Sequence, residues 1–296
     1  MMYTQAKKKH AFTLIELLVV IAIIALLLSI ILPSLRRAKE YAKRVLCSSQ
    51  LRQCGIAVKM YSDANDEYLP DAHYLDGNDN IDMNNPNHHS YVVYRNTPVG
   101  DPRMVYSNGR LKPFRFAYLF EEDYIDTPEI FYCPGNRDPW LKYESYTKPG
   151  PWGTLPQDIN DPPTGNGNQW VRIGYTYYPT DTRPRVLSDG VPEDKSLKFT
   201  RVNPNIPYTT DVIHGLDSLS HSYNVKTDEN GTVVSGQFGL NALYYDGHVS
   251  YCNDQLVFSN AVTTPSGRNP WELVKNIGPL RDYDEVFFTV FRAIGP

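Results

Sequence analysis

From Phe12 to Leu32 the chain runs through 21 residues of which only Thr13, Glu16 and Ser29 are polar. A helix of that length spans about 30 Å at ~1.5 Å per residue, the thickness of a bilayer's hydrocarbon core. A secretory signal peptide has a shorter apolar region, about 7–15 residues, closed by a small-x-small cleavage site. Ile30-Ile31-Leu32-Pro33 offers no such site, so the pattern predicts a membrane helix over 12–32. Beyond Pro33 the pattern changes. Leu35, Ala38, Ala42, Val45, Ser49, Ile56 and Met60 recur every three to four residues, with an irregularity around Arg52 and Gln53, and charges lie between them. This stripe predicts an amphipathic continuation over 33–62, ending at Asp63-Ala64-Asn65-Asp66. A proline inside the helix kinks it near residues 29–33. Phe12 to Tyr61 is then a rod of about 75 Å.

The remainder reads differently. Short β-branched and aromatic runs predict strands at Tyr91–Arg95, Glu129–Cys133, Val171–Tyr178, Arg185–Ser188, Gln237–Tyr245, His248–Cys252 and Val286–Arg292. Asp246-Gly247 between two such runs signals a two-residue hairpin. That turn pairs Tyr245 with His248, Tyr244 with Val249 and Asn241 with Cys252. Asp76–Ser90 and Thr147–Asn168 read as loops. A sheet built from these strands needs an apolar cover for one face, and the helix stripe from Leu35 onward supplies it. The expected fold is therefore α+β, one long N-terminal helix on an antiparallel sheet domain with long loops, the domain covering 63–296.

Charge changes the picture in two places. The chain carries a net charge of −4 with no basic stripe in the globular part, so no nucleic-acid partner is expected. Lys7, Lys8 and Lys9 favour a cytoplasmic N-terminus. Arg36, Arg37, Lys39, Lys43 and Arg44 flank the other end and vote the opposite way by charge counting alone; as the solvated face of a continuing helix they meet lipid phosphates instead.

Glu16 is the one charge inside the apolar segment. Such a group costs about 2.5–3.5 kcal/mol or more at membrane depth, so it needs a partner. The residues around it, Ala11-Phe12-Thr13-Leu14-Ile15-Glu16-Leu17, resemble the processing site of type IV prepilins and type II secretion pseudopilins. The resemblance implies that a prepilin peptidase cuts between Ala11 and Phe12, making residues 1–11 a leader. It implies that Phe12 becomes the methylated first residue and that Glu16 is the intramembrane acid used in assembly. Pro33, twenty-one residues after Phe12, stands where such proteins commonly carry a helix-kinking proline. The chain departs from the family in having Ala11 where Gly is usual. Physically, cleavage creates an ammonium at Phe12, and a carboxylate four residues on can compensate it within one chain or across to a neighbour. The resemblance favours the neighbour; the residues alone leave both arrangements open. It also implies pilin-like subunits and membrane lipids as partners, in the inner membrane with the C-terminal domain extracytoplasmic.

A second resemblance, to pilin-like proteins of planctomycete-type bacteria, rests on Cys47 to Gly55, on Tyr61 to Pro70 and on Asn241-Ala242-Leu243-Tyr244-Tyr245-Asp246-Gly247. Those proteins carry a His, nine residues, then Asp-Gly near the C-terminus. Here Gly236 occupies the His position and the nearest preceding histidine is His221, so the motif is half present.

Four cysteines, Cys47, Cys54, Cys133 and Cys252, are disulfide candidates in an exported domain. Cys47 and Cys54 lie about 10 Å apart along one helix, beyond the roughly 7 Å limit for a bridge. Each would pair with Cys133 or Cys252 in either order. Cys47-x₆-Cys54 lacks the short spacing of a zinc site, and no metal is assigned. Asp76, Asn78, Asn80 and Asp82 alternate like a calcium loop but lack its Gly and its final Glu; the expected cofactor set is empty, with calcium here the weaker alternative. His88-His89 read as exposed loop residues. His214, His221 and His248 with Asp211, Asp217 and Asp246 are the one grouping a metal or acid–base site would draw on, while caps and turn hydrogen bonds are the simpler reading. No catalytic residue is assigned.

The expected function is a structural one: a pilin-like or pseudopilin subunit of a type II secretion or type IV pilus-like filament. The alternative is an anchored binding module whose Tyr- and Trp-rich loops take a carbohydrate or protein partner. An anchored enzyme would need the His and Asp residues convergent in one cleft.

Overall fold

The computed structural model describes residues 13–70, 90–96, 111–146, 169–179, 197–213, 215–216, 219–227, 229, 233–259, 262–274 and 280–295. Two compact units divide between Ala42 and Lys43. The sequence-predicted helix is one element, α1, Leu14–Ala64, 51 residues long and carrying Pro33 inside it. In the first unit every apolar side chain from Leu14 to Leu32 is exposed to solvent or lipid. Two hydroxyls of α1 bond back to the helix carbonyls: Ser29 Oγ donates to Leu26 O at 2.7 Å and Ser34 Oγ to Ile31 O at 2.8 Å. A polar side chain satisfied this way is tolerable in an apolar surround.

In the second unit α1 buries Cys47, Leu51, Cys54, Gly55, Ala57, Val58, Tyr61 and Ser62. That spacing of four, three and four is a single helix face. It is the opposite face from the stripe anticipated above: Leu51 is fully buried, whereas Ile56 and Met60 remain 56% and 51% exposed. The reason lies in two thiols and a glycine. Cys47, Cys54 and Gly55 read as weakly apolar, but small side chains let the helix approach the sheet, and a Cβ on Gly55 would come within 2.9 Å of Leu243 Cδ1.

The strands are β1 Val92–Asn96, β2 Gln169–Arg172, β3 Tyr175–Tyr177, β4 Thr209–Asp211, β5 Tyr223–Thr227, β6 Val233–Gln237, β7 Leu240–Leu243 and β8 Val249–Cys252. All described pairings are antiparallel. β3-β4-β7-β8 form the central four-stranded sheet, while β1-β2 and β5-β6 each form a two-stranded ribbon. The remaining helices are α2 Ala117–Glu121, α3 Pro270–Leu273 and α4 Leu280–Ile294.

The central sheet is covered on both faces. Leu243 and Tyr245 join the core that includes Leu51 and Val58 of α1. Leu240, Ala242 and Tyr244 join a second core with Trp271, Val286, Phe287, Val290 and Phe291. Residues 286–292, expected as a strand, therefore lie in a helix: Val286, Phe287, Val290, Phe291 and Ile294 recur with helical period and are all buried. β-branched content had hidden that period. Glu129–Cys133 is likewise corrected, because Pro128 opens a 3₁₀ turn over Pro128–Phe131. The run Val171–Tyr178 splits into β2 and β3, which belong to different sheets. Arg185–Ser188 falls outside the described residues.

The β7–β8 hairpin exists, with a register one residue away from the expected one. Leu240 pairs with Cys252, Asn241 with Tyr251 and Leu243 with Val249. Gly247 N–H donates to Tyr244 O at 2.9 Å, and Tyr244 N–H to His248 O at 3.0 Å. The loop is thus three residues, a type I turn ended by Gly247 at φ +84°. Asp246 side-chain oxygen accepts from the His248 N–H at 3.0 Å, which favours this wider turn. The slip has a consequence for the site: Tyr251, not Cys252, faces Asn241.

Candidate processing segment and a buried Cys-Asp-His cluster

Ala11 and Phe12 lie outside the described residues. The chain is described from Thr13, which caps α1. Thr13 N–H and Thr13 Oγ1 both donate to Glu16 Oε2 at 2.8 Å, and Glu16 N–H donates to Thr13 Oγ1 at 3.3 Å. This is a capping box: each residue satisfies an N–H that the first helical turn leaves without a partner. Glu16 therefore has a local structural duty, with its carboxylate at the positive end of the helix dipole.

The chemically densest place among the described residues lies in the second unit. Cys47 Sγ donates to Asp211 Oδ1 at 2.6 Å. Cys133 Sγ lies 3.6 Å from His221 Nε2, and His221 Nε2 lies 3.5 Å from Asp211 Oδ2. One donor atom from each of these four residues falls within 4.8 Å of the other three, and all four residues are buried. Each comes from a different place. Cys47 is the first buried residue of α1, Cys133 follows the Pro128–Phe131 turn, Asp211 ends β4, and His221 precedes β5.

A shell of polar groups fixes the cluster. Asn241 on β7 donates its backbone N–H to Asp211 Oδ2 at 2.6 Å. Its Nδ2 lies 3.3 Å from both Asp211 Oδ2 and His221 Nε2, and 3.4 Å from Arg44 O. Gly135 is required by close approach, since a Cβ there would stand 2.7 Å from His221 Cε1. Tyr251 packs edge-on to His221 with ring centroids 6.2 Å apart, and the Arg44 guanidinium lies over Tyr251 at 4.1 Å.

The electrostatics follow from the crowding. Burial, then the neighbouring Cys133, pushes Asp211 up to about 7, against the opposing pull of His221 and the Cys47 and Asn241 hydrogen bonds. Burial raises Cys47 well above the usual thiol range, helped by Cys133 and Asp211. Burial also opposes ionisation of Cys133, but hydrogen bonds from Cys47 and His221, the imidazole charge and the Gly135 N–H outweigh it and hold Cys133 well below that range. Of the two thiols, Cys133 takes the negative charge first.

The sequence-level candidates sort accordingly. All four cysteines are free thiols. Cys47 stands beside Cys133, whereas Cys54 and Cys252 pack into different cores. His221 and Asp211 do converge, though with Cys47 and Cys133 rather than with the other histidines. His248 Nδ1 instead meets Asp246 Oδ1 at 2.5 Å in the exposed turn. His214, Asp217, His88, His89 and the loop of Asp76, Asn78, Asn80 and Asp82 lie outside the described residues. Asn241 reaches Asp211 from β7 beside β4, a strand that no local pattern signals, and Tyr251 faces Asn241 only in the observed hairpin register.

No curated protein and no solved structure matches this chain. A model of the prokaryotic N-terminal methylation motif matches residues 6–32. With the apolar first part of α1, that match supports a membrane-anchored, prepilin-type protein processed at its N-terminus.

Proposed function

We propose that the protein is a structural subunit of a pilin-like filament of a type II secretion or type IV pilus-like system. A prepilin peptidase cuts between Ala11 and Phe12 and methylates Phe12. The helix from Phe12 onward crosses the inner membrane once, and residues beyond it lie on the extracytoplasmic side. The observation that carries this reading is Glu16, the one carboxylate in the apolar segment, inside the matched motif. Both of its Thr13 bonds fall on Oε2, and a carboxylate can accept about four hydrogen bonds, so capping its own helix leaves capacity for a neighbour's Phe12 amine. The outer face of α1 adds support. Val45, Leu46, Ile56 and Met60 are each about half exposed or more, apolar side chains that a neighbouring subunit could cover.

We further infer that the His-x₉-Asp-Gly resemblance is complete in space. Twenty-four residues separate His221 from Asp246, and the β5–β6 ribbon from Tyr223 to Gln237 accounts for fifteen of them. Nine remain. Tyr223 pairs with Gln237, so the ribbon leaves and rejoins the chain at one point.

Two measurements test the functional reading. Mass spectrometry of the membrane-extracted protein finds a mature chain beginning at methylated Phe12; an intact Met1 overturns it. Glu16→Gln keeps the capping box but removes the charge, so the variant inserts yet fails to enter sheared filament fractions. Normal assembly of Glu16→Gln would leave Glu16 as a helix cap only.

A further inference from the structure

We propose that Cys47, Cys133, Asp211 and His221 are the four ligands of a single structural zinc ion. This goes beyond the filament reading and does not depend on it.

Convergence is the first argument. Three distant stretches of the chain, around Cys47, Cys133 and Asp211–His221, bring four metal-type donors to a single point, within 4.8 Å of one another and away from water. Direction is the second. Cys133 and Asp211 both address the same ring nitrogen, Nε2 of His221. A nucleophile–base–orienter relay needs the thiol on one nitrogen and the carboxylate on the other. Groups that crowd one nitrogen are arranged around a common centre instead.

Distances agree with that centre. Zinc bonds of about 2.3 Å to sulfur and 2.0–2.2 Å to nitrogen or oxygen set tetrahedron edges of about 3.3–3.8 Å. Cys133 Sγ to His221 Nε2 is 3.6 Å and His221 Nε2 to Asp211 Oδ2 is 3.5 Å. The 2.6 Å contact from Cys47 is a hydrogen bond to the other carboxylate oxygen, Asp211 Oδ1; it is given up with the Cys47 proton when the thiolate turns to the metal.

The donor set then selects the ion. Two thiolates, one imidazole and one carboxylate suit zinc and exclude calcium or magnesium, which take oxygen ligands. Four protein ligands close the coordination sphere, the arrangement of a structural site rather than a catalytic one. An outer shell is already in place: Asn241 holds Asp211 Oδ2 through its backbone N–H, and Gly135 N–H reaches Cys133. Such outer groups orient ligands and tune affinity. Binding exchanges the thiol protons for the cation and leaves the buried carboxylate and thiolates with a counter-charge.

The competing occupant of the same place is a Cys47–Cys133 disulfide, and the experiment separates the two. Full-length protein is purified from membranes in detergent without reductant. Its zinc content is measured by mass spectrometry of the ion, and its cysteines by alkylation under denaturing conditions. The expected result is close to one zinc per chain, four alkylated thiols, and two sulfur neighbours in X-ray absorption of the bound metal. Cys133→Ser and His221→Gln each lower zinc at least tenfold, while Cys54→Ser, buried elsewhere on α1, retains it. Cobalt(II) added to the chelator-stripped wild type gives thiolate-to-metal absorption, a readout that does not depend on any variant folding. A Cys47–Cys133 disulfide overturns the proposal, as does less than a tenth of an equivalent of zinc on the reduced wild type after reconstitution.

Discussion

Removing Tyr223–Gln237 and joining Ser222 to Phe238 should leave the domain folded. The two ends of the ribbon pair with each other, and antiparallel partners sit about 4.5–5.5 Å apart at Cα. Flanking residues need only draw in to about 3.8 Å to be peptide-bonded. The ribbon is two-stranded and pairs with no other strand among the described residues. Tyr223, Asn224, Lys226, Ser235 and Gln237 are exposed, and among the ribbon's described side chains it is Val225 that packs, partly buried, against the core around α4. Full burial of a valine is worth about 1.5–3 kcal/mol, so losing half of it costs about 1 kcal/mol. Phe238 also loses cover, because its ring lies against Gly236; uncovering part of that ring adds about 1 kcal/mol. The sum, about 2 kcal/mol, corresponds to a Tm lower by about 4–8 °C in a domain of this size. Thermal unfolding of the detergent-solubilised full chain, followed by the fluorescence of its four tryptophans, of which Trp271 is buried in the core against α4, reads this. Loss of a cooperative transition, or a fall beyond about 15 °C, would refute the idea that the ribbon is an interposed element and that His221 belongs beside Asn241 without it.

Three other outcomes follow from the packing. Leu51→Ala should cost about 2–5 kcal/mol, whereas Ile56→Ala should stay within about 0.5 kcal/mol in the monomer; chemical denaturation of both variants checks which face of α1 is buried. Phe291→Ala, on the fully buried stripe of α4, should cost about 3–5 kcal/mol, while a polar replacement at half-buried Thr289 is nearly neutral, a contrast that only a helix over 280–294 produces. Gly247→Ala, at φ +84° with open space where its Cβ would sit, should cost about 1 kcal/mol from backbone strain alone, and a neutral result would mean that residue 247 is not held in the left-handed region.

The long-range outline was legible because it rests on patterns that survive without tertiary context. An apolar run of membrane length, a helix ended at Ala64 by Asn65-Asp66, and an Asp-Gly turn between β-rich runs each carry their signal locally. Errors arose where two local signals competed. Residues 286–292 are β-branched and aromatic in content but helical in period, and period decides because a helix buries one face whatever its composition. On α1, the conspicuous apolar residues Ile56 and Met60 face outward, while the buried face uses Cys47, Cys54 and Gly55, whose value is close approach rather than hydrophobicity. The cluster was the least legible feature. Its residues obey no short spacing: Asp211 and His221 were legible as members of one His and Asp grouping, but nothing local ties them to Cys47 and Cys133, which lie 164 and 78 residues before Asp211 in the chain.

The position of Cys47 gives the proposed zinc site a mechanical rationale. In the proposed filament, a subunit held by its apolar segment would take load along α1, and the buried face of that helix begins at Cys47. Peeling a helix from a surface proceeds from the end where force enters, so contacts there bear the load before Leu51, Val58 or Tyr61 contribute. A hydrophobic contact at that first position weakens at small displacement, since a gap of about 1 Å already forfeits up to about half of its attraction. A coordinate bond from Cys47 to an ion shared with Cys133, Asp211 and His221 ties the helix to β4 and to the loops before β2 and β5, so the first step of peeling must break it. The same argument explains why a tie at Cys54 would serve less well: by the time load reached that position, the helix would already have left the sheet for two turns.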